Sequence, residues 1–476
     1  MRRHRVTAST QATAILVAAV VVVSQGCGVQ KYAAPEVAAA TSSNAGSLKQ
    51  HRQTLSNGAV LLVSEQRNVP MVVVRMLIDA GARRDPTGKE GLANLTADLL
   101  TEGTKSRSAT QISDAVDSVG ASLNTSAGVD GAQLALTLLS KDLRTGLDIL
   151  ADVLLHPSFP QAEVARRREA ILAAMKASED NPGYVASRIF TEFLFRGEPY
   201  GHLSIGTPEG VTKATRKDIL DFYREHYQPQ RAIITVVGDV TEAEVTALLE
   251  ETLGGWKGGS EAAFVYPAHT SPKPQVLKLQ RPVTQANVIL GHRGIARDNP
   301  DYYAIEVMNF ILGGGGFGSR LLDNIRTKEG LAYSVASGFT APKSPGSFRV
   351  ILQTKNESAA QAVQLACAEI ARFRREPVSD DELEDAKLYL TGSFPLQLDS
   401  NGKIASFLTE IEFFGLGADY ADTFKSKINA ITKDDVLRVA QEYLQPDDLS
   451  LIVVADFSKA VIADMPPCAN AAPPQQ

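Results

Sequence analysis

Residues 215–239 read TRKDILDFYREHYQPQRAIITVVGD, and residues 432–456 read TKDDVLRVAQEYLQPDDLSLIVVAD. Set against the second stretch without a gap, the first keeps Thr215, Asp218, Leu220, Glu225, Gln228, Pro229, Val236, Val237 and Asp239. Each stretch opens with a Thr and an acidic residue, the pattern of a helix N-cap with charge in the first turn. An amphipathic run follows, and a Gln-Pro pair stops it. AIITVVG and LSLIVVA are then short, β-branched apolar runs, which read as strands. A long segment that recurs in this way marks a duplicated domain.

Outward from these stretches, AVLLV (59–63) and MVVVRMLI (71–78) also read as strands. Helical periodicity covers about 90–102, 109–119, 141–155 and 161–179. The joint between the halves falls in KGGSEAAFVYPAHTSPKP (257–274), which has linker composition. KEGLAN (89–94) and KEGLAY (328–333) read as a second trace of the duplication, differing at their last residue. Long helices mixed with apolar strands give an α+β or α/β class. The chain has 476 residues, 44% hydrophobic and 21% charged, enough for a large core. A net charge of −6 with dispersed Lys and Arg argues against nucleic acid as a partner.

The N-terminus differs from the rest. A basic MRRHR precedes an apolar run, TAILVAAVVVV (13–23), and SQGC ends at Cys27. This reads as an export signal over 1–26, too short to span a bilayer. Cys27 after Gly26 resembles a bacterial lipobox, although Ser24 stands where an aliphatic residue is usual. The expected location is the periplasm or cell envelope, anchored through a lipid on Cys27. Gly28 carries no retention-type Asp, which favours the outer membrane. Residues 27–50 read as a flexible tether. Cys367 lies in an apolar-periodic run and reads as a buried core thiol. Cys468 lies in a Pro-rich tail, and neither a metal spacing nor a disulfide framework is implied.

In GKEGLANLTADLLTEGT (88–104), Leu92, Leu95 and Leu99 fall on one helical face. Asn94, Ala97 and Asp98 are expected to share another. That spacing is the one a His-x-x-Glu-His zinc helix uses, with two metal ligands and a general base. The segment resembles the inverzincin peptidases, the pitrilysin, insulinase and mitochondrial processing peptidase family, whose Gly-Leu-Ala and Gly-Thr are kept as Gly91–Ala93 and Gly103–Thr104. The family's His, Glu and His fall on Asn94, Ala97 and Asp98. Its third ligand, a Glu, falls on Ala174. A hydrolytic zinc site needs about three protein ligands, and only Asp98 is a plausible one here. His202, in PYGHLSIGTPEG, resembles a family loop and needs no catalytic role.

The second half reads NFILGGGGFGSRLLDNIRTKEGLAYSVASGF, which resembles the family's C-terminal segment. The resemblance implies that Arg326 and Tyr333 bind substrate and stabilise the developing oxyanion, as good donors would. Gly313, Gly314, Gly315 and Gly316 lack the Lys-Ser/Thr of a phosphate loop and read as a turn for close backbone approach. In the processing peptidases, a Gly-rich loop of the non-catalytic subunit handles substrate; the one here is shorter.

The resemblance covers about 50–460. It implies homologous domains at 51–256 and 276–463, a linker at 257–275 and a disordered tail at 464–476. Each domain is expected to be a mainly antiparallel sheet with helices packed on one side, the whole forming half of a clamshell. The implied function is the non-catalytic subunit of a heterodimeric zinc peptidase. The chain would hold no cofactor of its own, a homologous partner would bring the zinc motif, and the substrate would be an unstructured peptide. The alternative is a stand-alone binding pseudopeptidase of the envelope. Independent zinc proteolysis is disfavoured by the substitutions at all four family positions.

Overall fold

The computed structural model describes residues 48–259, 264–464 and 468. The export signal, Cys27 and nearly all of the tether lie outside the described residues, as does most of the tail. The first half builds one sheet from β1 (His51–Thr54), β2 (Val60–Glu65), β3 (Met71–Ile78), β4 (Ser122–Ala127), β5 (Ala132–Leu139) and β6 (Ala232–Gly238), in the order β1-β2-β6-β3-β5-β4. The second builds another from β7 (Val276–Gln280), β8 (Gln285–Arg293), β9 (Ala332–Phe339), β10 (Ser347–Lys355) and β11 (Ser450–Ala455), in the order β7-β11-β8-β10-β9. The orders correspond strand for strand once β1 is set aside. β2 with β6 and β7 with β11 are the parallel pairs, and the remaining pairs are antiparallel. The fold is α+β in two homologous domains.

The quoted stretches do as their residues dictate. Asp218 N donates to Thr215 Oγ1 (3.3 Å) and Thr215 N to Asp218 Oδ2 (3.0 Å). Asp435 N and Thr432 N repeat the exchange at 3.1 and 2.9 Å. These capping boxes satisfy donors that a helix start leaves free. The helices Arg216–His226 and Lys433–Tyr443 follow, then β6 and β11.

KEGLAN and KEGLAY are not structural counterparts, and this corrects the sequence reading. Gly91 (φ 105°) begins the helix Leu92–Asp98, between β3 and β4. Gly330 (φ 64°) instead ends a helical turn, with Leu331 N donating to Ile325 O (2.9 Å), and the chain enters β9 directly. A glycine at positive φ serves either end of a helix. Since β9 corresponds to β4, the duplication does not align Asn94 with Tyr333.

Each sheet is covered on one face by helices of its own half. The halves also exchange helices across the other face. Helix Pro182–Leu194 of the first half sets Val185, Phe190 and Leu194 against Ile289, Ile452 and Val454 of the second sheet. Helix Asn401–Phe414 of the second half lies against β3 and β6, where Thr409 and Thr235 hydrogen-bond at 2.8 Å. Full burial of a Val, Leu or Phe stabilises by about 1.5–3 kcal/mol, against about 1 kcal/mol for the hydrogen bond. Packing therefore dominates the exchange, and it explains why β3 and β11 are apolar almost throughout. The expected linker is also pinned. Arg83 stacks on Phe264 and Tyr266 (4.9 and 5.4 Å) while pairing with Asp130 at 2.8 Å.

Cys367 is buried as expected but is no free thiol, because it is disulfide-bonded to Cys468. The segment after β11 lies against the second half, with Lys278 Nζ on Ile462 O at 2.5 Å. A spacing of 101 residues gave no local sign of this pair.

Candidate active-site region

Helix Leu92–Asp98 is fixed at its start by the buried Asp85, which accepts from Gly91 N (2.6 Å) and Ala93 N (2.7 Å). Burial pushes the Asp85 carboxyl up to about 7, against these two hydrogen bonds, which pull it down. His202 Nε2 lies 4.0 Å from it, so this loop residue supports the helix start. Leu92, Leu95 and Leu99 face the core as the periodicity predicts. Asn94 and Asp98 are half-buried and joined by a 3.4 Å hydrogen bond. Ala97 departs from expectation: it is fully buried in the core, not on the polar face. A short helix that meets β4 on one side and helix Arg216–His226 on another leaves only a narrow exposed strip.

Asp98 is already taken. Arg167, on the helix Gln161–Ser178, donates Nε to its Oδ2 at 3.0 Å and brings Nη2 to 2.9 Å. Burial still raises the Asp98 carboxyl above its ordinary value, and Arg167 offsets this only in part. Ala174, two turns beyond Arg167 on the same helix, is exposed. This donor set does not fit zinc. Two of the four family positions are methyl groups, one is a carboxamide, and the carboxylate is engaged by a cation. Among the described residues, no three His, Cys, Asp or Glu side chains group as a metal site. Sequence reading missed Arg167; its signal was an i, i+7 relation to the Ala174 position. Beside this helix, a groove of about 440 Å³ runs along edge strand β4, lined by Glu102, Ile112, Val116, Ser122, Leu123 and Asn124.

The second-half residues do come together. Tyr333 is 68% exposed at the start of β9, where the pairing with β10 shifts at Gln353/Thr354. Such a bulge re-aims side chains. The Arg326 guanidinium stands 5.9 Å from the Tyr333 ring and 5.2 Å from the ring of Phe317, which is 77% exposed. The Arg326 guanidinium makes no hydrogen bond or ion pair with a described residue. Phe317 was not foreseen, although it interrupts the glycine run. Gly313 lets the glycine turn pack close against β9, since a Cβ there would lie 2.6 Å from Ser337 N. Gly316 takes φ 61°. The glycines thus serve a close-packed turn. No hydrogen bond, ion pair or ring contact among the described residues joins Arg326 or Tyr333 to Asn94 or Asp98.

Comparison with known proteins gives consistent matches. Residues 60–208 match the insulinase family model (peptidase family M16), and residues 213–390 match the model described as the peptidase M16 inactive domain. The chain is 28% identical to an uncharacterised zinc protease of Streptomyces coelicolor, over 83% of this chain and 87% of that one. It is 26% identical to the non-peptidase homologue YmxG of Helicobacter pylori, over 86% and 94%. A solved structure described as a peptidase M16 inactive domain, from Pseudomonas fluorescens, superposes with a TM-score of 0.82 at 29% identity, over 88% of this chain and 100% of that one.

Proposed function

We propose that this chain, which belongs to the peptidase M16 family, is the zinc-lacking subunit of a two-chain peptidase. The family frame is intact while the residues that would hold a metal are not. What carries the reading is the contrast between two clusters. At the family's zinc positions Asp98 is closed off by Arg167. In the second half the Arg326 guanidinium has no carboxylate partner among the described residues and stands between two exposed rings. An unpaired guanidinium and a phenol, displayed together, are suited to an anion that appears during a reaction elsewhere. A homologous partner would bring the metal, water and base, and this chain would bring Arg326 and Tyr333. An unstructured peptide would enter as an added strand beside β4, whose free edge borders the open groove. The name of the Helicobacter relative supports loss of independent activity. The zinc-protease name of the Streptomyces relative does not transfer, because the donor set here is gone.

On this reading the complex would sit in the cell envelope, exported by the apolar N-terminal run and anchored through Cys27. The Cys367–Cys468 disulfide supports it, since such bonds persist in oxidising compartments. The test is reconstitution with a zinc-motif homologue, comparing the unmodified chain with Arg326→Ala and Tyr333→Phe. Cleavage that is chelator-sensitive, needs both chains and falls in both variants is the expected result. A homodimer that binds peptides without any cleaving partner would replace this reading with the stand-alone binding protein.

A further inference from the structure

The second sheet carries a guanidinium that holds no partner among the described residues. Side chains alternate along β10: Phe348, Val350 and Leu352 enter the core, while Arg349, Ile351 and Gln353 face the other way. Over β8 and β11 that second face is covered by helix Pro182–Leu194. Further out it is open, and Ile351 is 42% exposed. The Arg349 side chain, half-buried there, makes no hydrogen bond or ion pair with a described residue. Burial lowers its pKa, and no carboxylate among the described residues pairs with it. Arg75 on β3, also shifted by burial alone, differs because its Nη2 donates to Gln133 Oε1 at 2.6 Å. Arg293, diagonal to Arg349 on β8, has taken Glu198.

The surroundings form a one-sided recess. In register, Arg349 stands between Gly291 on β8 and Gly338 on β9. The Gly291 side is filled, since a Cβ there would lie 2.5 Å from Phe190 Cζ. The Gly338 side is vacant, since a Cβ there would meet nothing within 4 Å. A half-buried cation without a counter-charge is costly, and an arginine fork matches a carboxylate in two hydrogen bonds. At about 3.3 Å per residue, Gly338 lies about 17 Å along β9 from Tyr333, within the span of one short extended segment. Asn309 Nδ2 donates to Ser337 O (3.4 Å), which covers the β9 edge at this end. A peptide there would cross the sheet face and not add a strand.

We propose that Arg349 is a specificity residue, receiving the carboxylate of an Asp or Glu side chain in an extended peptide that lies across β9 and β10 and reaches Tyr333. This deepens the proposed peptide-handling role and rests on it. The test uses the isolated full chain and a set of dye-labelled, end-capped peptides in which one Glu walks along a neutral sequence, each with a Gln twin. Binding is read by fluorescence anisotropy at low salt. At the matching position the Glu peptide should bind at least about tenfold tighter than its twin, as a charge-assisted hydrogen bond warrants. Arg349→Gln should erase that ratio and leave the Gln twin's affinity and the melting temperature in place. Arg349→Lys should keep part of the ratio, as a point charge without the fork. Glu and Gln peptides that bind alike at every position, or a ratio that survives Arg349→Gln, would overturn the assignment while leaving the broader role standing. Failure of every peptide to bind would remove both.

Discussion

Replacing Arg167 by Met removes the cation from Asp98 and leaves a carboxylate whose side chain is 12% exposed. Exposed ion pairs contribute about 0–1 kcal/mol, while stripping one partner from a fully buried pair costs about 3–5 kcal/mol. The Arg167 side chain is 36% exposed, so this pair lies between the limits, and a loss of about 2 kcal/mol is expected. For a chain of this size that is a fall of about 4 °C or less in Tm. The pH dependence separates charge from packing. Asp98 already has a raised pKa in the folded state, and the substitution raises it further. A raised carboxyl keeps its full stability below the unfolded pKa and loses it as pH rises through the folded one. The deficit of Arg167→Met should therefore be small near about pH 3, below the ordinary carboxyl pKa, and complete at about pH 8. Adding Asp98→Asn removes the stranded charge and should recover most of the loss. Thermal unfolding followed by circular dichroism at both pH values reads this. Equal deficits at the two pH values, or no rescue by Asp98→Asn, would show that Arg167 acts through packing alone.

Three further outcomes are expected. Cys468→Ala opens a loop with a sequence separation of 101, for which chain entropy gives about 4.7 kcal/mol, so its melting temperature should fall to that of the reduced unmodified protein. Asp85, with a folded pKa of about 7, should make the chain lose stability as pH rises from the ordinary carboxyl range through about 7. Urea unfolding across that range should show the slope, and Asp85→Asn should flatten it. Gly291→Ala sets a Cβ 2.5 Å from both Phe348 O and Phe190 Cζ, and overpacking of this kind costs about 1–3 kcal/mol. A neutral result in denaturant unfolding would contradict the exchanged-helix packing.

The parts of the fold that could be read were those where local chemistry and tertiary structure agree. The Thr215–Asp239 stretch and its copy carry caps, a helix stop and a β-branched run, and all of these reappear in equivalent places. The KEGLA repeat misled because five identical residues do not fix a conformation: Gly91 opens a helix and Gly330 closes one. The helix exchange was hidden, since an apolar strand buried on both faces does not say which half supplies the second cover. The disulfide was hidden too, because its partners lie 101 residues apart in sequence. At the site, the residues expected at the zinc positions, Asn94, Ala97, Asp98 and Ala174, could be named from the resemblance alone. Arg167 could not, because its role depends on which side chain it meets across a helix pair. Nor could the setting of Arg349, whose guanidinium meets no hydrogen-bond or ion-pair partner among the described residues.

The most direct test of the two-chain account is the rate of peptide cleavage by this chain with and without a zinc-motif homologue, for the unmodified protein and for Tyr333→Phe. The account predicts no cleavage by the chain alone and chelator-sensitive cleavage by the pair. It also predicts a loss of about 10²–10³ in kcat when the Tyr333 hydroxyl is removed, the range for a single oxyanion donor. Stoichiometric zinc and cleavage in the isolated chain, or a pair whose rate ignores Tyr333→Phe, would contradict it.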